Sequence, residues 1–284
     1  TIIGKQIGET FYSLQLLPFG GACMMTGEDE ESPDERAFGN KSVPARMSVV
    51  FAGPFFNFIM AFVLSLVLIS LTGSDVPVLS RVEPNSPAYE AGLKKGDEIT
   101  KIADSRVHNF REISYYLMLE GKGHSFDVEY KRNGEEYTTS VTPVYDKEIG
   151  SYRIGIQSSG YQKLNPLKTI QYSIYEVRCQ IKVTVISLKQ LIMGQFGLND
   201  ISGPVGIVSM IGDTYTQAQS YGWLVILESM LSLTILLSAN LGVMNLLPIP
   251  ALDGGRLVFL LIEGIRGKAM DPDKEGKIHY VGLM

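Results

Sequence analysis

The uncharged stretch SVVFAGPFFNFIMAFVLSLVLISLT runs from Ser48 to Thr72. About 20 mostly apolar residues are enough for a helix to cross the hydrocarbon core of a bilayer, so this stretch predicts a transmembrane helix over 48–72. Gly53, Pro54 and Asn57 lie near its start, where a proline and an amide need neighbouring helices to satisfy polar groups. We expect Gly53 to allow close packing and Asn57 to make a polar contact inside a helix bundle.

A second apolar stretch begins at Trp223 and leads into Asn245-Leu-Leu-Pro-Ile-Pro-Ala-Leu-Asp-Gly-Gly255. Two prolines in three residues end regular helix hydrogen bonding, and paired glycines let a backbone or a ligand come close. We predict a transmembrane helix over 223–255 that unwinds around Asp253. A carboxylate at the edge of a span is a functional candidate, and a helix cap or a surface loop is an equally good structural interpretation.

The basic residues that flank the two stretches predict the topology. Lys41 and Arg46 precede the first, and Arg256 and Arg266 are among the basic residues that follow the second. Because Lys and Arg concentrate on the cytoplasmic side, both flanks are expected there and the segment between the stretches is expected to face outward. We expect residues 1–47 to hold a β-hairpin around Glu9 to Met25 and a solvated acidic loop. The hairpin is either a small buried sheet or a membrane-associated hairpin on the cytoplasmic side.

Residues 73–145 have the patterning of a soluble α+β module. Asn109 followed by Glu112 predicts a helix start, and Asn133-Gly134 between two alternating strands predicts a type I′ hairpin turn. The order of elements, with Asn85-Ser-Pro-Ala-Tyr-Glu-Ala-Gly-Leu-Lys-Lys-Gly-Asp-Glu-Ile, resembles a PDZ domain of the bacterial protease type. Such a domain binds an extended peptide at a sheet edge.

Residues 146–222 are expected to be a linker that carries an amphipathic helix. Apolar residues recur at helical spacing between Pro166 and Ile192, opposite several Lys and Arg residues. Those charges are costly for an isolated spanning helix, so placement in the membrane interface is favoured, and packing onto the soluble module is the alternative. Residues 256–284 are expected to be a cytoplasmic loop followed by the start of a truncated further span.

Composition narrows the possible functions. The chain has 284 residues and a formal net charge of −5, which gives no broad basic surface and argues against a nucleic-acid partner. Its two cysteines, Cys23 and Cys179, are too far apart in sequence for a C-x-x-C metal site and are interpreted as buried or membrane-facing thiols. His108 and His124 have no ligand partners at metal-binding spacing and are expected to be surface histidines.

Five features in order resemble the PDZ-bearing bacterial branch of the site-2 proteases, the regulator of sigma-E protease type. They are Gly53-Pro54-x-x-Asn57, the PDZ-like module, Ser202-Gly-Pro-Val-Gly206, Asn240-Leu-Gly-Val-Met-Asn245 and the Pro248 to Gly255 run. The resemblance implies a polytopic α-helical membrane protein with an inserted PDZ-like domain and an N-terminal β-hairpin. It further implies a multi-pass protein of the inner or plasma membrane that cleaves single-span membrane proteins, such as anti-sigma factors or remnant signal peptides, within the bilayer.

The resemblance also assigns roles. Asp253 corresponds to the third ligand of a catalytic Zn²⁺, and the hairpin corresponds to one that pairs with an unwound substrate helix. Residues expected to bind substrate are Asn57, Asn240, Asn245, Pro248 and Pro250.

One departure limits the expected activity. The family carries H-E-x-x-H on a helix before the hairpin, whereas His108, His124 and His279 are not followed by Glu. The chain is therefore interpreted as a fragment, inactive alone, whose general-base Glu and two His ligands lie upstream of Thr1. A non-catalytic pseudoprotease that binds membrane proteins through its PDZ-like module is one alternative. A transporter using Asp253 and Glu228 is less favoured, because no second half with matching broken helices is visible.

Overall fold

A computed structural model describes residues 2–14, 16, 23–28, 32–148, 150–195 and 203–268. After a 3-10 turn at Phe38–Asn40, the helices of this part of the chain are α1 (Val43–Thr72), α2 (Pro87–Glu90), α3 (Phe110–Leu119), α4 (Pro166–Ile192), α5 (Pro204–Gln219), α6 (Trp223–Asn245) and α7 (Asp253–Arg266). The strands are β1 (Ile3–Ile7), β2 (Thr10–Leu14), β3 (Ser74–Asp75), β4 (Leu79–Val82), β5 (Glu98–Ile102), β6 (Ser105–Arg106), β7 (Phe126–Arg132), β8 (Glu135–Val141), β9 (Val144–Asp146), β10 (Ser151–Arg153), β11 (Ile156–Ser158) and β12 (Tyr161–Gln162).

Helices α1 and α6 are long and apolar enough to cross a membrane. They pack directly on each other, with the ring of Phe58 against Gly242, where a Cβ atom would lie 2.7 Å from Phe58 Cε1. Helix α1 begins five residues before the predicted 48, and Pro54 lies buried inside it. Helix α6 ends at Asn245 rather than continuing to 255, because Pro248 and Pro250 cannot continue the helical hydrogen bonding.

The soluble module folds around a four-stranded sheet with the order β6-β5-β7-β8. The Asn109 side chain accepts a hydrogen bond from the Glu112 amide at 3.0 Å, which confirms the predicted start of α3. Asn133 and Gly134 have φ of 54° and 89°, as a type I′ turn requires. The predicted helix start and hairpin turn of the module are therefore both confirmed.

The module extends beyond residue 145, where the linker was expected to begin. Strand β11 pairs with β4 and β12 pairs with β3, so the chain returns to the module after β8. Ile154 is only 2% exposed and belongs to the same apolar core. This boundary was predicted too early because β10, β11 and β12 are two or three residues long and give no alternating pattern.

The N-terminal hairpin lies upstream of its predicted position. Strands β1 and β2 pair antiparallel around Gly8 and Glu9, with Ile7 opposite Thr10. Gly8 has φ +63°, which glycine adopts at little cost, and residues 23–25 form no strand. The expected turn at Pro18 to Gly21 lies outside the described residues. Among the described residues, strand pairing uses the turn at Gly8 and Glu9.

Helix α4 packs against α1, α6 and α3, with a polar rather than an apolar stripe inward. Thr169, Ser173, Glu176, Gln180 and Thr184 are buried, each three or four residues from the last. Of the predicted apolar face, Val177 packs among residues of α1 and α6, whereas Leu167 and Ile174 are exposed. Helix α4 thus packs partly on the module, as the alternative interpretation expects. Its placement in the membrane interface stays a prediction.

Two helices lie where no separate helix was expected. Helix α5 lies inside the predicted linker and packs on α6, and α7 covers 253–266, where a transmembrane helix end and a cytoplasmic loop were expected. Helix α7 presents Val258, Leu261 and Ile265 on its exposed surface. A helix, not a loop, therefore follows the Asp-Gly-Gly run.

Candidate functional site

Asp253 is the first residue of α7 and lies against α1. Its Oδ2 atom is 3.3 Å from the position that a Cβ atom on Gly53 would occupy. Gly53 therefore lets the carboxylate lie a few tenths of an ångström closer to α1 than an alanine would. The structure thus brings together the Gly53-Pro54-x-x-Asn57 motif and the Asp-Gly-Gly run, two motifs that are 200 residues apart in the sequence.

The turn between α6 and α7 explains the glycine pair after Asp253. A Cβ atom on Gly254 would lie 2.2 Å from the Leu247 carbonyl oxygen, and one on Gly255 would lie 2.4 Å from that of Ile249. Ala251 in the same turn has φ +76°, a conformation that costs a non-glycine residue free energy and that persists only where the surroundings hold it. The turn thus fixes Asp253 by folding its own carbonyl groups back onto α7.

An ion pair joins this turn to the segment that follows the hairpin. Arg256, one helical turn after Asp253, forms an ion pair with Glu28, whose Oε2 atom also accepts the Met25 amide at 3.1 Å. The Glu28 side chain is 13% exposed. The acidic stretch that was expected to be a solvated loop therefore contributes a partly buried charge beside Asp253.

The three asparagines do not form one cluster. The backbone carbonyl of Asn57 accepts a hydrogen bond from Ser238 Oγ at 2.8 Å, which ties α1 to α6. The Asn240 side chain hydrogen-bonds Thr184 of α4. Asn245 is the half-buried last residue of α6, next to the turn. Asn57 thus takes part in the contact between α1 and α6, Asn240 in the contact between α6 and α4, and Asn245 lies where α6 ends.

Pro248 and Pro250 both lie in the turn, the first exposed and the second half-buried. Glu228 lies near the other end of α6, roughly 26 Å along the helix axis from Asn245 at 1.5 Å per residue. Glu228 therefore lies far from the end of α6 that leads to Asp253, which weighs against a joint ion pathway.

The histidines of the described residues stay in the module. His124 is exposed, and His108 packs on Tyr175 of α4 with ring centroids 4.1 Å apart. Burial lowers the pKa of His108, although the neighbouring Glu112 carboxylate opposes the shift. His279 lies outside the described residues. Cys179 is buried and Cys23 is exposed, and neither is part of a disulfide in the part of the chain that is described.

Sequence reasoning missed three contacts of this region: Gly53 with Asp253, Arg256 with Glu28, and Arg46 of α1 with Glu263 of α7. A glycine one turn before Asn57 and opposite charges in the flanking segments were visible signals. Their partners could be recognised only once α1 and α7 were known to be neighbours.

The whole chain, residues 1–284, matches the family model described as peptidase family M50. It is 39% identical over 258 residues to "Zinc metalloprotease RasP" of Shouchella clausii, covering 89% of this chain and 59% of that protein. "Regulator of sigma-W protease RasP" of Bacillus subtilis is 36% identical over 264 residues, covering 92% of this chain and 60% of that protein. The chain thus spans about three fifths of these relatives.

A relative from Clostridium acetobutylicum is 37% identical over 282 residues, which are 99% of this chain and 80% of that protein. Among solved structures, the crystal structure of the PDZ domain of an SdrC-like protein from Listeria monocytogenes is 24% identical. The match covers 30% of this chain and 88% of the Listeria domain, with a TM-score of 0.27.

Proposed function

The chain belongs to peptidase family M50, the site-2 proteases, and from this premise we propose that it is part of an intramembrane zinc endopeptidase. In this proposal the protein cleaves membrane-spanning segments of single-span proteins, such as anti-sigma factors or remnant signal peptides. The observation that carries the proposal is the placement of Asp253, a carboxylate held by a strained turn in the space left by Gly53, beside a candidate span. Several spans are proposed, with the module on the outer side of the bacterial cell membrane.

The residues of this chain would bind and unwind the substrate. A helix can be cleaved only after its backbone hydrogen bonds have been broken, and groups freed at membrane depth need new partners. Asn57, Asn240 and Asn245 would supply such partners along the α1 to α6 contact, and Pro248 and Pro250 would line the turn. The exposed hairpin of β1 and β2 offers strand edges with which an extended segment can pair.

Asp253 would be one ligand of the zinc ion for which the relatives are named zinc metalloproteases. Catalytic zinc sites take three protein ligands, and no group of three His, Cys, Asp or Glu residues in the described part of the chain can hold a metal. These residues therefore do not make a zinc site by themselves. In our proposal an H-E-x-x-H helix outside this sequence would supply the remaining ligands and the general base.

A second candidate is a pseudoprotease that captures membrane proteins without cutting them. It is favoured by the module, in which β11 is paired on one edge only among the described residues. An extended peptide could pair with the second edge of β11, so that main-chain hydrogen bonds give affinity.

The test is to express the complete open reading frame that contains this sequence in its own membrane. Bound zinc would be measured by mass spectrometry, and cleavage of a tagged single-span substrate would be followed by gel electrophoresis. The endopeptidase proposal predicts about one zinc ion per protein and cleavage within the apolar segment of the substrate. Stable capture of the substrate, without zinc and without cleavage, would instead support the pseudoprotease.

A matched pair of substitutions tests the role of Asp253. We expect Asp253→Asn to abolish zinc loading and cleavage while membrane insertion is retained. Asp213→Asn makes the same chemical change at an exposed position of α5 and should alter neither. If Asp253→Asn retained zinc and activity, Asp253 would not be a ligand.

A further inference from the structure

The buried polar stripe of α4 connects the module to a predicted substrate residue. Burying a polar stripe costs free energy unless its groups are hydrogen-bonded, so these groups need partners on the neighbouring helices. Its partners lie on α3 at one end and on α6 at the other. The inference drawn from this rests on the proposed role of Asn240 as a substrate residue.

The module end of the stripe is held by Arg111 of α3. Its Nη1 atom donates to Glu176 Oε1 at 2.9 Å, and its backbone amide donates to Asp75 Oδ2 at 3.0 Å. The Glu176 and Asp75 side chains are 6% and 10% exposed, so two carboxylates share one guanidinium away from solvent. Arg111 thereby joins the module, the residues after α1, and α4.

The stripe continues along α4 by hydrogen bonds. Gln180 Nε2 donates to the same Glu176 oxygen at 2.9 Å, and the Thr184 hydroxyl is 2.8 Å from the Gln180 carbonyl oxygen. The same hydroxyl also hydrogen-bonds Asn240 Oδ1. A hydroxyl carries one proton, so Thr184 can donate to Gln180 or to Asn240 but not fully to both. The bond to Asn240 is thus in competition with a bond inside α4.

Energetics favours a positional role for this arrangement. Replacing a buried ion pair with apolar residues is often neutral or stabilising, so stability alone does not explain Arg111 and Glu176. A buried charge pair can instead fix one register between packed helices. Here the register is that of α3 against α4, and any shift of α4 along its axis would move Thr184 relative to Asn240.

We propose that α4 couples the position of the module to the orientation of the Asn240 side chain. Thr184 is the positioning residue for Asn240, and Arg111 is the residue that fixes the position of α4 against the module. A module that is displaced when it binds a peptide would change the register of α4 and release Asn240 from Thr184. The amide of Asn240 would then be free to bind the unwound backbone of a substrate.

The coupling can be measured on the chain as it stands, in lipid nanodiscs, without zinc or cleavage. With ¹⁵N-asparagine labelling, the side-chain amide resonance of Asn240 is identified by its loss in Asn240→Asp. We expect Thr184→Val, which removes only the hydroxyl, to displace this resonance by more than its line width. Thr184→Ser should restore the original position. Arg111→Met should displace the resonance as well, although Arg111 does not touch Asn240.

Two controls and a double variant decide the outcome. Thr169→Val removes a hydroxyl that bonds to the Asn165 carbonyl just before α4, and Arg81→Met replaces an exposed arginine of β4 in the module. Neither should move the Asn240 resonance. In the Thr184→Val background, Arg111→Met should have no further effect. An unmoved resonance in Thr184→Val, or an equal effect of Arg111→Met in both backgrounds, would overturn the proposal. Because no catalysis is measured, these results are independent of whether the chain belongs to an active protease.

Discussion

Replacing Gly254 by alanine should open the turn that holds Asp253. The added Cβ atom would lie 2.2 Å and 2.4 Å from the carbonyl oxygens of Leu247 and Leu246, about 1 Å inside ordinary contact. Both obstacles are backbone atoms, so a side-chain rotation cannot relieve the overlap. Overpacking of this kind costs about 1–3 kcal/mol. Because the obstacles are backbone atoms, the cost should lie near the upper end of that range. An alanine inside a helix recovers up to about 1 kcal/mol relative to glycine, so a net loss of about 2 kcal/mol is expected.

Gly264→Ala is the matched control, because it makes the same substitution in the same helix. Its Cβ atom would meet only Val43 Cγ1, at an ordinary 3.5 Å, so helix propensity should leave the protein unchanged or up to about 1 kcal/mol more stable. Unfolding in mixed micelles gives the free energy, and hydrogen exchange of the amides of 246–256 locates the loss. Equal stability of the two variants, with no added exchange in the turn, would refute the account of the glycine pair.

Three further predictions use the same contact reasoning. Gly242→Ala should displace the Phe58 side chain from between α1 and α6, since the added Cβ would lie 2.7 Å from Phe58 Cε1, and should lower the thermal unfolding temperature. Gly212→Ala in α5 meets nothing within 4 Å and should not lower it. Asp97→Asn should cost the module about 3–5 kcal/mol in denaturant unfolding, because Asp97 is buried with Arg132, while Glu129→Gln, in an exposed pair with Lys101, should cost about 1 kcal/mol at most. Burial lowers the pKa of His108 below its ordinary 6.5. The unfolded chain therefore binds more protons than the folded one near this pH, and stability should fall as the pH drops through 6.5. A pH series of unfolding temperatures that is the same in His108→Gln would contradict this.

Local determinants made part of the fold predictable. The cap at Asn109 and the turn at Asn133-Gly134 depend on residues within a few positions, and both form as predicted. The candidate spans depend on length and apolar composition, which are also local. The hairpin was placed wrongly because Gly8-Glu9 and Pro18 to Gly21 are both turn signals. The choice between them depends on which strands pair, and local sequence does not contain that information.

Helix α4 shows a different limit. Its sequence carries two stripes, one apolar and one polar from Thr169 to Thr184, and the helical period reveals both. Which stripe faces the protein depends on what the neighbours offer. Arg111 on α3 and Asn240 on α6 present polar groups that the polar stripe can satisfy, so that stripe is buried while Ile170 and Ile174 remain exposed. Hydrophobic pattern alone predicts the opposite orientation.

The contact between Gly53 and Asp253 gives the glycine in α1 a role other than helix packing. From sequence, Gly53 was expected to serve helix packing, in which case alanine would press on a neighbouring helix. In the structure the nearest atom is instead the carboxylate of Asp253, at 3.3 Å from the added Cβ. Alanine at this position would displace the carboxylate by a few tenths of an ångström and leave the helix contacts as they are. Metal–ligand distances are held within about 0.2 Å, so a shift of that size is small for folding and large for a zinc ligand.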